Sequence, residues 1–153
     1  MDQTSAVDER FMRLALDEAR RCVAHGDVPV GAAVVRGGEV LAVAGNAREL
    51  EQDPTAHAEI VALRAAARSV RSWHLEGCAL YVTLEPCAMC AGASVLARLD
   101  RVVFGADDPK AGFAGSLGNL LQEDRLNHRT ELTSGVLAED SAELLRAFFR
   151  DRR

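Results

Sequence analysis

Apolar residues recur along the chain with two periods, and the switches between them mark out the elements. After Ser5-x-x-Asp8, which resembles a capping box, Met12, Ala15, Leu16, Ala19 and Val23 follow at helical spacing, and His25-Gly26 ends the segment. Val30 to Val35 is a β-rich run. Gly37-Gly38 supplies a two-residue hairpin turn, and Val40 to Ala44 returns as a second strand closed by Gly45-Asn46. Asp53-Pro54-Thr55 is a helix-start cluster, beyond which Ile60, Leu63, Ala67 and Val70 mark the buried face of a second helix. Ala79 to Leu84 predicts a third strand, Cys87 to about Arg98 a helix opened by Pro86, and Arg101 to Ala106 a fourth strand. A Gly-rich loop then runs through Asp107, Asp108, Lys110 and Gly112 to Gly115, followed by a short apolar turn around Leu117 to Leu121. Thr130 to Val136 predicts a weaker fifth strand, and a last helix begins at Ala138 and presents Leu144, Leu145, Phe148 and Phe149. The Phe pair reads most simply as core packing, with base stacking as the alternative. Strands alternating with helices predict an α/β fold, a three-layer α/β/α arrangement around a mixed five-stranded sheet. In such sheets ligands collect beyond the strand ends, where helices begin.

Length and composition narrow the class. A chain of 153 residues, 48% hydrophobic and 27% charged, fits one globular domain spanning 1–153. The longest unbroken apolar run, Val28 to Val35, is much too short to span a bilayer. Met1-Asp2-Gln3 lacks the basic start of a signal peptide, and four cysteines, two of them in one motif, suit a reducing cytoplasm. The formal net charge of −5 argues against a general nucleic-acid binder, whose affinity comes mainly from phosphate contacts. Lys110 is the sole lysine, and arginine thickens at the end in Arg146, Arg150, Arg152 and Arg153. Such a local patch can serve one structured RNA.

The chemistry resides in two short stretches, His57-Ala58-Glu59 and Pro86-Cys87-Ala88-Met89-Cys90. One imidazole and two thiolates suit zinc, which prefers tetrahedral N/S donors, and three protein ligands leave the fourth place for water, as in catalytic sites. Cys87 and Cys90, at i and i+3, share a helix face. His57 and Glu59, two apart, converge only in a helix's first turn, with the site beyond its tip. Two helix N-termini then point at the metal and favour thiolate over thiol. A redox Cys-x-x-Cys pair leaves His57 and Glu59 without a role, and a structural zinc needs a fourth ligand from Cys22, His25, His74, Cys78 or His128, none of which makes a second compact pair. His-x-Glu followed by Pro-Cys-x-x-Cys is the signature of zinc-dependent nucleobase deaminases, in which the glutamate is general acid and base.

Longer stretches extend the likeness. Asp27-Val28-Pro29-Val30-Gly31-Ala32, Asp53 to Ile60, Leu80 to Ala93, Arg101 to Ala106, Ala114 to Leu117, Leu126 to Arg129 and Phe148-Phe149-Arg150 resemble the bacterial tRNA-specific adenosine deaminases of the cytidine-deaminase-like fold. The resemblance implies that His57, Cys87 and Cys90 bind one Zn²⁺ and that Glu59 shuttles protons while water adds at C6 of a flipped adenine. It implies inosine at the wobble position of a tRNA anticodon stem-loop as product, and a homodimer. Asn46 is expected to contact the base and Asp108 and Lys110 to lie near the RNA backbone, with Pro29, Val30, Ala58, Leu84 and Phe149 as further substrate contacts. Asp107 replaces a commonly basic residue, Pro109 stiffens the RNA-side loop, and no longer basic tail follows Arg153. A zinc deaminase of free guanine, cytosine or a nucleoside, and a non-enzymatic zinc-stabilised binding module, are the competing expectations.

Overall fold

Helix α1, Gln3–Cys22, buries Phe11, Met12, Ala15, Leu16 and Ala19 to 1% exposure or less. The computed structural model describes residues 3–152, so Met1, Asp2 and Arg153 lie outside the described residues. The backbone is already helical at Gln3, so Ser5-x-x-Asp8 is not a cap at the helix start. Val23 is a correction too. It falls in a 3₁₀ turn, Val23–His25, and is 48% exposed, because the helix ends at Cys22 and the chain turns away through Gly26 at φ 79°.

Strand β1, Gly31–Arg36, and β2, Glu39–Gly45, form the predicted hairpin, with Gly37 and Gly38 at φ 56° and 83° as a tight primed turn requires. α1 crosses β1 at Gly31, where any Cβ would lie 1.8 Å from the Ala15 carbonyl oxygen. Only glycine fits that approach. Strands β3, Cys78–Leu84, β4, Arg101–Ala106, and β5, Glu131–Thr133, complete one sheet in the order β2-β1-β3-β4-β5. β1 is antiparallel to β2 and β3, whereas β3, β4 and β5 run parallel. β5 is shorter than expected because Gly135, at φ 80°, bends the chain after Ser134.

Strand alternation divides the core into two layers. Ala33, Val35, Tyr81 and Val103 face α1 together with Leu144 of α5, Ala138–Arg150. Ala32, Val34, Leu80, Val82, Val102 and Phe104 face the other side with α3, Ala58–Val70, and α4, Ala88–Leu96. The expected α/β/α order with a mixed five-stranded sheet is the observed one.

Three smaller expectations change. α3 turns Ala62, Leu63 and Ala66 fully inward, with Val70 packed partly buried against the same core, while Ile60 and Ala67 lie toward the groove beside α4, because alanines at the sheet permit close packing on β1 and β2. Phe148 is 7% exposed, but Phe149 next to it is 51% exposed, since neighbours on a helix point about 100° apart and only one can turn inward. A four-residue helix α2, Arg48–Glu51, was not expected, because it carries no apolar repeat.

Candidate metal centre and active site

The two chemical motifs occupy equivalent places at the mouths of α3 and α4. His57 and Cys87 are the residues just before each helix, in extended conformations (φ −68°, ψ 151° and φ −75°, ψ 178°), and neither side chain caps its own helix. Each carbonyl takes the first helical hydrogen bond, from Val61 to His57 at 3.0 Å and from Ala91 to Cys87 at 2.8 Å. Their side chains are therefore left for a ligand. Glu59 and Cys90 follow within the first turn of each helix. Pro86 stands one residue ahead of Cys87 rather than inside the helix, and Asp53-Pro54-Thr55 forms a turn before α3, with Asp53 accepting the Thr55 N–H at 2.9 Å.

Convergence is close. His57 Nδ1 lies 3.6 Å from Cys87 Sγ and 3.5 Å from Cys90 Sγ, and the three donor atoms fall within 4.8 Å of one another. Zn–S of about 2.3 Å and Zn–N of about 2.0 Å at tetrahedral angles place S and N about 3.5 Å apart. The donor set and its spacing both fit zinc. Among the described residues, no other group of three or more His, Cys, Asp or Glu side chains is placed to hold a metal.

Protonation follows from the crowding. The Cys90 thiol donates toward Cys87 and, against burial, holds its thiol down to about 3, aided by His57. Cys90 is pushed up by the Cys87 thiolate and by burial, and His57 is raised chiefly by its contact with Cys87. This is the proton-loaded form of a ligand set that sheds protons as a metal binds. Glu59, 4% exposed, is raised to about 7, mainly by burial, with its own backbone N–H and His57 pulling the other way.

Beside the three donors lies a cavity of about 220 Å³. Asn46, Val30, Ala58, Leu84 and Asp108 line it with His57, Glu59 and Cys87. Asn46 is 7% exposed and donates through Nδ2 to the Val28 carbonyl at 3.2 Å. Pro29, Lys110 and Phe149 do not line it. Pro29 is buried between two lining residues, Lys110 is exposed on the loop, and Phe149 borders a separate recess on α5 with Leu145, Arg146 and Arg150.

Val28, Arg48, Glu85 and Ala111 line the cavity without having been expected. Glu85, 2% exposed, organises one wall. It accepts hydrogen bonds from the Asp108, Ala114 and Ser116 N–H groups at 2.9, 3.0 and 2.9 Å, and from the Ser116 hydroxyl at 2.5 Å. Burial works against its charge, but these donors hold the carboxyl below its ordinary value. Gly112 crosses directly over that carboxylate, where a Cβ would approach it to 2.2 Å. An acid at a strand end, one residue before Pro86, was the available signal for Glu85. Arg48 carried none.

A family profile described as the cytidine and deoxycytidylate deaminase zinc-binding region matches residues 5–106. The chain belongs to this family. Both motifs lie within the matched span, and the family's zinc-binding character agrees with the three-donor geometry. The chain is 53% identical over 146 residues to the tRNA-specific adenosine deaminase of Bacillus subtilis, covering 95% of this chain and 91% of the relative. It is 48% identical over 145 residues to the enzyme of that name from Aquifex aeolicus, covering 95% of each. Among solved structures, one from a study of A-to-I editing by tRNA:A34 deaminases superimposes with a TM-score of 0.86 at 43% identity, over 89% of this chain and 99% of that one. Guanine deaminase from Nitrosomonas europaea superimposes at 0.79 with 25% identity, over 92% of this chain and 83% of that one.

Proposed function

We propose that this protein, as a single zinc-dependent deaminase domain over residues 1–153, converts adenosine to inosine by hydrolysis at the wobble position of a tRNA anticodon. The observation that carries the reading is the extent of the likeness to tRNA-specific adenosine deaminases. It runs far beyond residue 106, where the zinc-binding region ends, and so takes in the loop wall and the final helix.

His57, Cys87 and Cys90 would hold Zn²⁺, which supplies, when bound, the Lewis acidity that makes water nucleophilic near neutral pH. Glu59 does the proton work. A buried carboxyl lining the cavity beside the three donors is placed to accept a proton from the attacking water and return it to the base. It takes the proton of the attacking water, delivers it to N1 of adenine, and then serves the departing amine, so that water and adenosine become inosine and ammonia. Its burial keeps bulk water from competing for that proton. Asn46, fixed by its bond to Val28, orients the base, with Val30, Ala58 and Leu84 as apolar walls. The nucleotide is turned out of its loop to reach this cavity, at a cost of a few kcal/mol.

A homodimer is part of the proposal. An apolar groove between α3 and α4, lined by Ile60, Leu63, Ala67, Trp73 and Leu96, leaves Trp73 60% and Leu96 72% exposed, which supports a partner there. We place the protein in the cytoplasm. Its four cysteines are free, and no helix among the described residues is long and apolar enough to cross a membrane. The test is inosine formation in an anticodon stem-loop with adenine at the wobble position, against free adenosine, cytidine and guanine. We expect the stem-loop alone to react, because a lone nucleoside forfeits the binding energy of its flanks. Comparable kcat/KM on free guanine or a nucleoside would assign the cavity to small substrates instead.

A further inference from the structure

We infer that Arg48 grips a phosphate of the substrate strand beside the extruded nucleotide, and so makes the cavity select an adenosine carried in a strand over a free one. The inference rests on the reading of the substrate as RNA. Arg48 is the one Lys or Arg side chain lining the cavity. The acids there are already engaged or withdrawn. Glu85 is saturated by loop donors, Asp108 Oδ1 accepts the Lys110 and Ala111 N–H groups at 3.1 and 3.2 Å, and Glu59 is buried. Arg48, by contrast, is exposed, and among the described residues its side chain makes no salt bridge or hydrogen bond.

Its position is also built. The carboxylate of Asp27, 1% exposed, reaches over from the segment before β1 to accept the Glu49 and Leu50 N–H groups at 2.7 and 3.1 Å, and it is held in turn by His25 Nδ1 at 2.6 Å. The Arg48 N–H lies 3.4 Å from Asn46 Oδ1. The helix bearing Arg48 is thereby fixed to the same segment, Asp27 to Val30, that walls the cavity. An unpaired, planar fork of donors at the mouth of a nucleobase cavity matches a phosphate diester. An adenosine within a strand brings a phosphate on either side of its ribose, and free adenosine brings none. A protein of net charge −5 gives a polyanion no net attraction, so individually placed cations matter more to holding it.

The experiment measures deamination of the wobble-adenine stem-loop, stem-loop affinity by anisotropy across a salt series, and zinc content, for wild type, Arg48→Gln and Arg48→Lys. Arg48→Gln should raise KM and Kd for the stem-loop about tenfold or more, as loss of a charge-assisted hydrogen bond does, with the loss falling chiefly on KM. The slope of log affinity against log salt should shrink by about 0.7, one single-strand phosphate contact. Arg48→Lys should restore the salt slope but only part of the affinity, and zinc should be unchanged in both. If the wild type edits the stem-loop and Arg48→Gln keeps its affinity and salt slope, the inference is overturned alone. A loss confined to kcat would also overturn it, placing Arg48 at the reacting base. If the wild type makes no inosine in the stem-loop, the RNA reading falls and takes this inference with it.

Discussion

The proposed chemistry falls to four side chains, and their differing surroundings suit each to a separate part. His57 and Cys87 lie outside their helices, with side chains unused by capping, and Cys90 and Glu59 sit within the first turns that follow. Cys22 and Cys78 are buried too, but burial raises both thiols and no imidazole stands against them. Metal analysis should therefore separate the two kinds of cysteine. Cys87→Ser and Cys90→Ser are expected to lose zinc, while Cys22→Ser and Cys78→Ser keep one zinc per chain. Loss of zinc in Cys22→Ser as complete as in Cys87→Ser would remove the three-ligand site. Glu59→Ala should retain zinc and fold but lose deamination by about 10² to 10⁴-fold, the usual contribution of a general acid–base group. A variant keeping more than about a tenth of the wild-type rate, on that scale, would exclude Glu59 from proton transfer.

Elements far apart in sequence close the cavity at its rim. α2 begins after Ala47, which has no capping group, and the carboxylate of Asp27 supplies the cap from the other side of the β1–β2 hairpin. Burial opposes ionisation of Asp27, but the Glu49 and Leu50 N–H groups and His25 together hold its carboxyl below the ordinary value. A depressed carboxylate contributes stability above its unfolded pKa of about 3.9, and that contribution is lost as pH falls through the lower folded value. Asp27→Asn is therefore expected to destabilise the protein by about 1 kcal/mol at pH 7, as loss of a cap does. The gap from wild type should stay level down to about pH 5 and narrow below about pH 4. Thermal unfolding of both proteins across that range checks it. A difference that widened on acidification would contradict the assignment.

Across the whole molecule, one buried polar cluster ties the helical layer to the sheet. Asp8 of α1, 3% exposed, accepts the Tyr81 hydroxyl at 2.8 Å and both terminal nitrogens of Arg101 at 2.8 and 2.7 Å, and Arg101 reaches on to Thr133. It thus joins α1 to β3, β4 and β5 on the face of the sheet opposite the one that α3 and α4 cover. Removing one member of a buried, hydrogen-bonded pair leaves the other uncompensated. Asp8→Ala is expected to cost about 3 kcal/mol of stability by denaturant unfolding, while zinc per folded molecule stays unchanged. A loss of zinc at full stability would mean that the two faces of the sheet are coupled in a way the packing does not explain.

Local chemistry made much of this legible. Gly37-Gly38 can take positive φ twice in succession, so the hairpin was determined by two residues. β4 and the start of α5 followed from β-rich and helical runs with little room for register error. His-x-Glu and Pro-Cys-x-x-Cys pointed to the three donors that the fold brings together, since residues two apart meet one point only beyond a helix tip. What the chain could not reveal depends on contacts between distant residues. The inward face of α3 is mostly its alanines because the sheet lies close beneath, and amphipathic spacing alone favoured the larger Ile60 over Ala62 and Ala66. Phe148 and Phe149 are indistinguishable as letters, and only the seat of α5 on the sheet buries one and leaves the other out. α2 has no apolar period and stands on a carboxylate more than twenty residues away. Glu85 and Arg48 join the cavity for the same reason: a backbone amide to be satisfied and an open rim exist only once the strands, helices and loop have been brought together.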